Sequence, residues 1–225
     1  QMPITPGGLF FETYYKTLFV GTSGTKRVIA ARIGRISNGT VTEIAPVECD
    51  LIAMAGGWTP NVNLFSQSRG KLRFDETRQI FVPDVAAQDQ VSVGACNGTF
   101  ELADAMIEAA AAGGAIADIP VTRLFDVMGH TPSAGGYHGA VPHPYKPEKV
   151  KAFVDFQNDV TAKDIKLAVQ EGFHSIEHVK RYTTTGMATD QGKTSNMNAL
   201  AIASRALGKS IPDVGLTTFR PPYTP

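Results

Sequence analysis

The sequence predicts an α/β region followed by a small all-α domain, and three observations carry that reading. Two apolar runs, residues 49–55 and 90–95, each end in a turn of small residues. The second passes directly into a long helical stretch from Phe100 to about Ala117, and strand, tight turn and helix in that order is the repeating unit of α/β sheets. Beyond a breaker-rich segment, three short helical stretches with start and stop signals follow from residue 161 onward.

Taken in order, Leu18-Phe19-Val20 and the run from Val28 to Ile33 read as strands, punctuated by a turn at Gly21 to Gly24. Asn38-Gly39 supplies the left-handed conformations of a tight hairpin, so residues 40–44 pair back on the preceding strand. The near-continuous apolar run at 49–55 predicts a strand buried on both faces, broken by Gly56-Gly57-Trp58-Thr59-Pro60-Asn61. In the helix after Phe100, Glu101 and Asp104 favour the positive end of the dipole. Leu102, Ala103, Met106, Ile107 and Ala110 make an apolar face, and the alanines before Gly113-Gly114 permit close approach to a neighbouring backbone.

Residues 126–147 are too rich in Gly and Pro to form one helix or strand. His130, His138 and His143 fall there at spacings that suit no single-helix metal site, and they read as solvated or packing histidines. A helical module starts at Lys149. Thr161 with Asp164 forms a capping-box pattern for a helix over 162–171 that stops at Gly172. A second helix spans about 175–182, and a third runs from Asn196 to Leu207 before Gly208.

Lys plus Arg and Asp plus Glu each number 21, so no net charge favours nucleic acid or an anionic membrane. Three helices with a glycine turn suggest a DNA reader only superficially, because the last helix is apolar where base-reading side chains belong. Cys49 and Cys96 are too few and too far apart for a disulfide framework. No signal peptide or membrane-length apolar run is visible, which predicts a cytoplasmic protein. Both ends of the chain read as cuts.

Gln191-Gly192-Lys193-Thr194-Ser195 suggests a P-loop, but that motif needs a glycine where Met187 stands. A glycine, a lysine and two hydroxyls before a helix can still hold a phosphate, because helix amides and a cation suit an anion.

The stretches Phe153 to Thr161 and Lys180 to Asn196 resemble the segment of heterotetrameric sarcosine oxidase α subunits that precedes their folate-binding domain. Ala53 to Trp58, Leu64 to Asp75 and Thr218 to Pro225 resemble other parts of that subunit, in the same order. The resemblance implies a partial two-module dinucleotide-binding fold. Residues 1–48 would end an inserted second module and 49–125 return to the first. Residues 126–148 would be a linker, 149–210 a bacterioferritin-associated-ferredoxin-like helical domain, and 211–225 the start of an aminomethyltransferase-like domain.

It further implies an oxidoreductase acting on the CH–NH bond of an N-methyl amino acid, with oxygen as acceptor. Sarcosine, O2 and tetrahydrofolate would give glycine, H2O2 and 5,10-methylenetetrahydrofolate. NAD would lie on the α subunit at Ala95, Asn97, Phe100 and Leu102, where Gly94 is followed by alanine instead of the aspartate of related flavin enzymes. FMN would sit at the α/β interface beside Lys193, Thr194 and Ser195, FAD in the β subunit, and tetrahydrofolate in the C-terminal domain. The expected partners are the β, γ and δ subunits. The four cluster-ligand places of the ferredoxin-like domain fall on Asp155, Gln157, Asp190 and Ser195, none a thiol, so no iron–sulfur cluster is expected. No catalytic residue is assigned to this stretch, which alone would be inactive. The alternative is the α subunit of a related amine, proline or opine dehydrogenase with an electron-transfer role.

Overall fold

The computed structural model describes residues 14–38, 40–54, 56–121, 125–128, 139, 143–145 and 149–217. The chain divides into two compact units, residues 1–55 with 141–151 and residues 56–140 with 152–225. His130 and His138 lie outside the described residues.

In the first unit, β1 (Thr17–Ser23), β2 (Ala30–Ser37), β3 (Thr40–Glu43) and β4 (Val47–Glu48) form one antiparallel sheet with β2 at its centre. Ser37 pairs with Thr40, and Asn38 has φ 49°, the left-handed conformation expected of the Asn-Gly turn. Gly21 does not turn the chain as the sequence suggested. The register shifts between Phe19 and Gly21, so a bulge takes up Val20, Gly21 pairs with Arg32 and β1 continues to Ser23.

A charged strap lies on this sheet. Arg32 donates two hydrogen bonds to the Glu43 carboxylate, at 2.6 and 2.7 Å. The Tyr145 hydroxyl donates to the same carboxylate at 2.7 Å and is hydrogen-bonded to Arg32 as well. These bonds, Arg32 first and Tyr145 second, pull the Glu43 carboxyl down to about 2. The bond to Glu43 in turn raises the Tyr145 phenol. His143 places Nε2 at 2.7 Å from the Val20 carbonyl and accepts the Tyr145 N–H on Nδ1 at 3.1 Å. That arrangement suits the neutral ring with its proton on Nε2.

The second unit opens with α1 (Asn63–Gln67) and the hairpin of β5 (Lys71–Asp75) and β6 (Ile80–Val85). Asp75 closes the hairpin turn by accepting the N–H groups of Thr77 and Arg78 and the Arg78 guanidinium, which hold its carboxyl below the usual range. After α2 (Leu102–Ala117), a second short hairpin pairs β7 (Phe153–Asp155) with β8 (Val160–Thr161). It leads into α3 (Ala162–Gln170), α4 (Ile176–Thr183), α5 (Asn196–Leu207) and α6 (Ile211–Val214).

Asp164 accepts both the N–H and the hydroxyl of Thr161 at 2.7 Å, so α3 starts where the capping-box pattern predicts. α5 ends at left-handed Gly208, also as predicted. The core gathers Ile165 and Ala168 of α3, Val179 of α4 and Leu200 and Ala203 of α5, with Phe81 of β6 and Val154 of β7 packed among them.

Two predicted strands are absent. Residues 49–54 are irregular, with Leu51 and Met54 exposed. Residues 91–93 are likewise irregular and lead into a 3-10 turn at Gly94–Asn97. A strand buried on both faces needs a hydrogen-bonded neighbour on each edge. Every strand pairing among the described residues is antiparallel, and none involves either run. The domain read as all-α also carries the β7–β8 hairpin, whose three-residue and two-residue strands are too short to show alternation. Strands with helices therefore describe the chain, without a parallel sheet among the described residues. In α2 only Gly114 is buried, and its close approach is to the Ile119 carbonyl just beyond the helix.

Candidate functional site

The loop between α4 and α5 is built around two buried carboxylates. α4 stops at Thr184 and Gly186, both in the left-handed region at φ 65° and 69°. Asp155, at the end of β7, accepts the Gly186 N–H at 2.7 Å on one oxygen and the N–H groups of Gln157 and Asn158 on the other. Asp190 accepts the N–H groups of Gly192 and Thr194, each at 3.1 Å, and the Thr194 hydroxyl at 2.7 Å. Burial pushes the Asp190 carboxyl up. The Thr194 and Gly192 donors and the Lys193 charge outweigh it, and the group titrates below its ordinary range. Asn196 packs between the two glycines: a Cβ on Gly186 would lie 2.3 Å from its Oδ1, and one on Gly192 2.1 Å.

This loop sets the direction of three neighbouring side chains. Lys193 lines a cavity of about 250 Å³ together with Asn196 and Met197 of α5 and the segment from Gly57 to Val62. Thr194 is turned to Asp190. The Ser195 side chain is 1% exposed, and its hydroxyl has no hydrogen-bond partner. Of the three residues expected to approach one cofactor, the structure thus brings only Lys193 to the cavity wall. Trp58, in the same wall, is 74% exposed. In the sequence Trp58 stands out as part of a break after an apolar run and of a stretch that carries the resemblance, but nothing in its neighbourhood shows that residues 57–62 meet the start of α5.

Ala95 and Asn97 lie in the 3-10 turn, and Phe100 and Leu102 at the approach to α2, so the four candidates share one contiguous stretch. The sequence missed its organiser. Glu108 reaches back from α2 and accepts the Gly94 N–H at 2.7 Å on one oxygen and the Asn97 side-chain amide on the other. No motif announces this contact, since it joins residues 11 and 14 positions apart across a turn whose path is not readable in advance. Two polar donors that a dinucleotide could use are therefore engaged internally, while Ala95 and Leu102 remain exposed.

Residues 149–225 match the family model of the sarcosine oxidase A3 domain. The sarcosine oxidase subunit alpha of Rhizobium meliloti (strain 1021) is 41% identical over 209 residues, covering 91% of this chain and 20% of that protein. The same subunit of Corynebacterium sp. (strain P-1) is 37% identical over 209 residues, covering 88% of this chain and 21% of that protein. The chain is related to sarcosine oxidase α subunits over most of its length. It spans about a fifth of the length of these relatives. Among solved structures, L-proline dehydrogenase from P. horikoshii shares the fold at a TM-score of 0.61, with 18% identity, covering 91% of this chain and 42% of that one.

The positions Asp155, Gln157, Asp190 and Ser195 do not fit a thiolate-held cluster. Their donors are oxygen and amide groups, and a [2Fe–2S] cluster takes soft sulfur ligands. Both carboxylates are already committed to N–H donors of their own loops. No group of three or more His, Cys, Asp or Glu among the described residues is arranged to hold a metal ion. No helix among them is long and apolar enough to cross a membrane.

Proposed function

We propose that the chain is part of the α subunit of a sarcosine oxidase, an assembly that converts sarcosine, O2 and tetrahydrofolate to glycine, H2O2 and 5,10-methylenetetrahydrofolate. The identity of 37–41% to sarcosine oxidase α subunits over most of the chain carries this reading. In that reaction the substrate methyl carbon passes to folate as a methylene unit, and two electrons with two protons reduce O2 to H2O2. The amine is oxidised at a flavin outside this stretch, so the residues here bind and orient and do not react.

In this reading Lys193 faces FMN at the contact with the β subunit, and a cation beside a phosphate-bearing flavin is what supports it. Bound there, FMN would supply one-electron and two-electron transfer to oxygen. Asp190 holds the Gly192–Thr194 backbone and so fixes where Lys193 points. Thr194 and Ser195 act on the loop from behind. The stretch from Ala95 to Leu102 contributes one edge of an NAD site, in which Glu108 sets the turn. FAD in the β subunit, folate in a C-terminal domain, and partner β, γ and δ subunits complete the proposal, in the cytoplasm. The oxygen donors at Asp155, Asp190 and Ser195 argue against the alternative of an iron–sulfur electron carrier of the dehydrogenase kind.

The test is Lys193→Ala in the complete complex, read as FMN content and as the rate of flavin-to-flavin electron transfer. The expected result is FMN loss of at least tenfold at matched protein concentration. Unchanged FMN retention and electron transfer would remove Lys193 from the site.

A further inference from the structure

We infer that Arg78 is a positioning residue for the turn at Gly94–Asn97, holding its exit at Gly98 while Glu108 holds Gly94 and Asn97. This rests on the reading of the stretch from Ala95 to Leu102 as one edge of an NAD site. It adds a residue that acts on that edge without touching the ligand.

The chain leaves the 3-10 turn toward α2 at Gly98, in the left-handed region at φ 84°. The turn closes on itself through the Gly98 N–H to the Ala95 carbonyl at 3.1 Å and the Thr99 N–H to the Gly94 carbonyl at 3.0 Å. Arg78, 20 residues earlier, donates from Nη1 to the Gly98 carbonyl at 2.5 Å. The same guanidinium donates from Nε to the Asp75 carboxylate at 2.8 Å. A planar fork engaged on two sides has one orientation left to it, so Arg78 fixes the direction of the Gly98 peptide. Asp75 already balances its charge, which makes the role directional and not that of a free cation for a ligand.

The β5–β6 hairpin gives Arg78 a firm base. Asp75 accepts the N–H groups of Thr77 and Arg78 on its carboxylate and that of Gln79 on its carbonyl, at 2.7–3.0 Å. Successive residues of β6 face opposite ways. Phe81 enters the core formed with α3 and α5, and its ring centroid lies 5.0 Å from that of Phe74. Ile80 and Val82 are buried too, and a Cβ on Gly98 would lie 2.9 Å from Val82 and 3.4 Å from Ile80. The hairpin is thus wedged between the helical core and the turn, and Gly98 must be glycine for the two to meet. Two separate elements therefore set the turn: α2 through Glu108, and the hairpin through Arg78. A binding edge is held to a defined geometry by such supporting contacts from rigid elements.

The test uses the complete oxidase complex, with NAD affinity measured by equilibrium dialysis and hydrogen exchange followed in peptides covering residues 94–102. Arg78→Met should weaken NAD about tenfold, the worth of one charge-assisted hydrogen bond, and speed exchange across the turn. Arg78→Lys, which keeps one donor, should recover part of both, and FMN content should stay at the parent level in each. Ile165→Ala, in the buried core of α3, supplies a destabilised control that should leave NAD affinity unchanged. An equal loss of NAD in that control would show that Arg78 acts through general stability and would overturn the inference. In a parent complex that binds NAD, a silent Arg78→Met in either readout would overturn this inference alone. A parent complex that binds no NAD would remove the NAD reading itself, and the inference with it.

Discussion

The carboxylate of Asp155 accepts the N–H of Gly186 at 2.7 Å, joining the β7–β8 hairpin to the end of α4 across 31 residues. With Gln157 and Asn158 on its other oxygen, one side chain satisfies three backbone donors. Asp155→Ala would leave the Gly186 N–H buried without an acceptor, at a cost of about 2–3 kcal/mol. Urea unfolding should show a lower midpoint at unchanged slope. Asp155→Asn, which keeps one acceptor oxygen, should cost less.

Gly192 sits at φ 77°, and an added Cβ would lie 2.1 Å from Asn196 Oδ1. Gly192→Ala should therefore destabilise the chain by about 1–3 kcal/mol from the left-handed conformation alone, with the clash in addition. Adding Asn196→Ala removes the clash and not the backbone strain, so the double variant should recover only part of the loss. Full recovery in thermal unfolding would show that the glycine conformation is unimportant.

Glu43 in the strap titrates near 2 where an ordinary glutamate titrates at 4.5. Because the folded-state value is the lower one, its contribution to stability is complete above the unfolded value and disappears as pH falls through the folded value. The strap should hold down to about pH 4.5 and loosen progressively toward pH 2. Carboxyl NMR titration checks this, and Arg32→Gln should return Glu43 toward its ordinary range.

Leu200 is fully buried at the α3–α5 contact. Leu200→Ala should cost about 2–5 kcal/mol by transfer and cavity terms. Leu64, 70% exposed, gives the control: Leu64→Ala should stay within about 0.5 kcal/mol. Equal losses at the two sites in denaturant unfolding would contradict the core described above.

The sequence by itself determined what is local. The Asn38-Gly39 turn, the Thr161–Asp164 box and the stop at Gly208 are each decided by a few consecutive residues, and each falls where expected. The resemblance to sarcosine oxidase α subunits was likewise legible, because it lies in the order of residues. The β5–β6 hairpin left a weaker signal in the alternation of Leu72 and Phe74, and the expectation passed over it. The predicted strands at 49–55 and 90–95 failed for the opposite reason: apolar composition permits burial, but a strand exists only where another strand accepts its hydrogen bonds. Tertiary structure alone decided that Glu108 closes the turn at Gly94, and that Thr194 and Ser195 turn away while Lys193 reaches a cavity. It also placed Trp58 beside Lys193 in that cavity, since contacts between residues far apart in the chain depend on the path of everything between them.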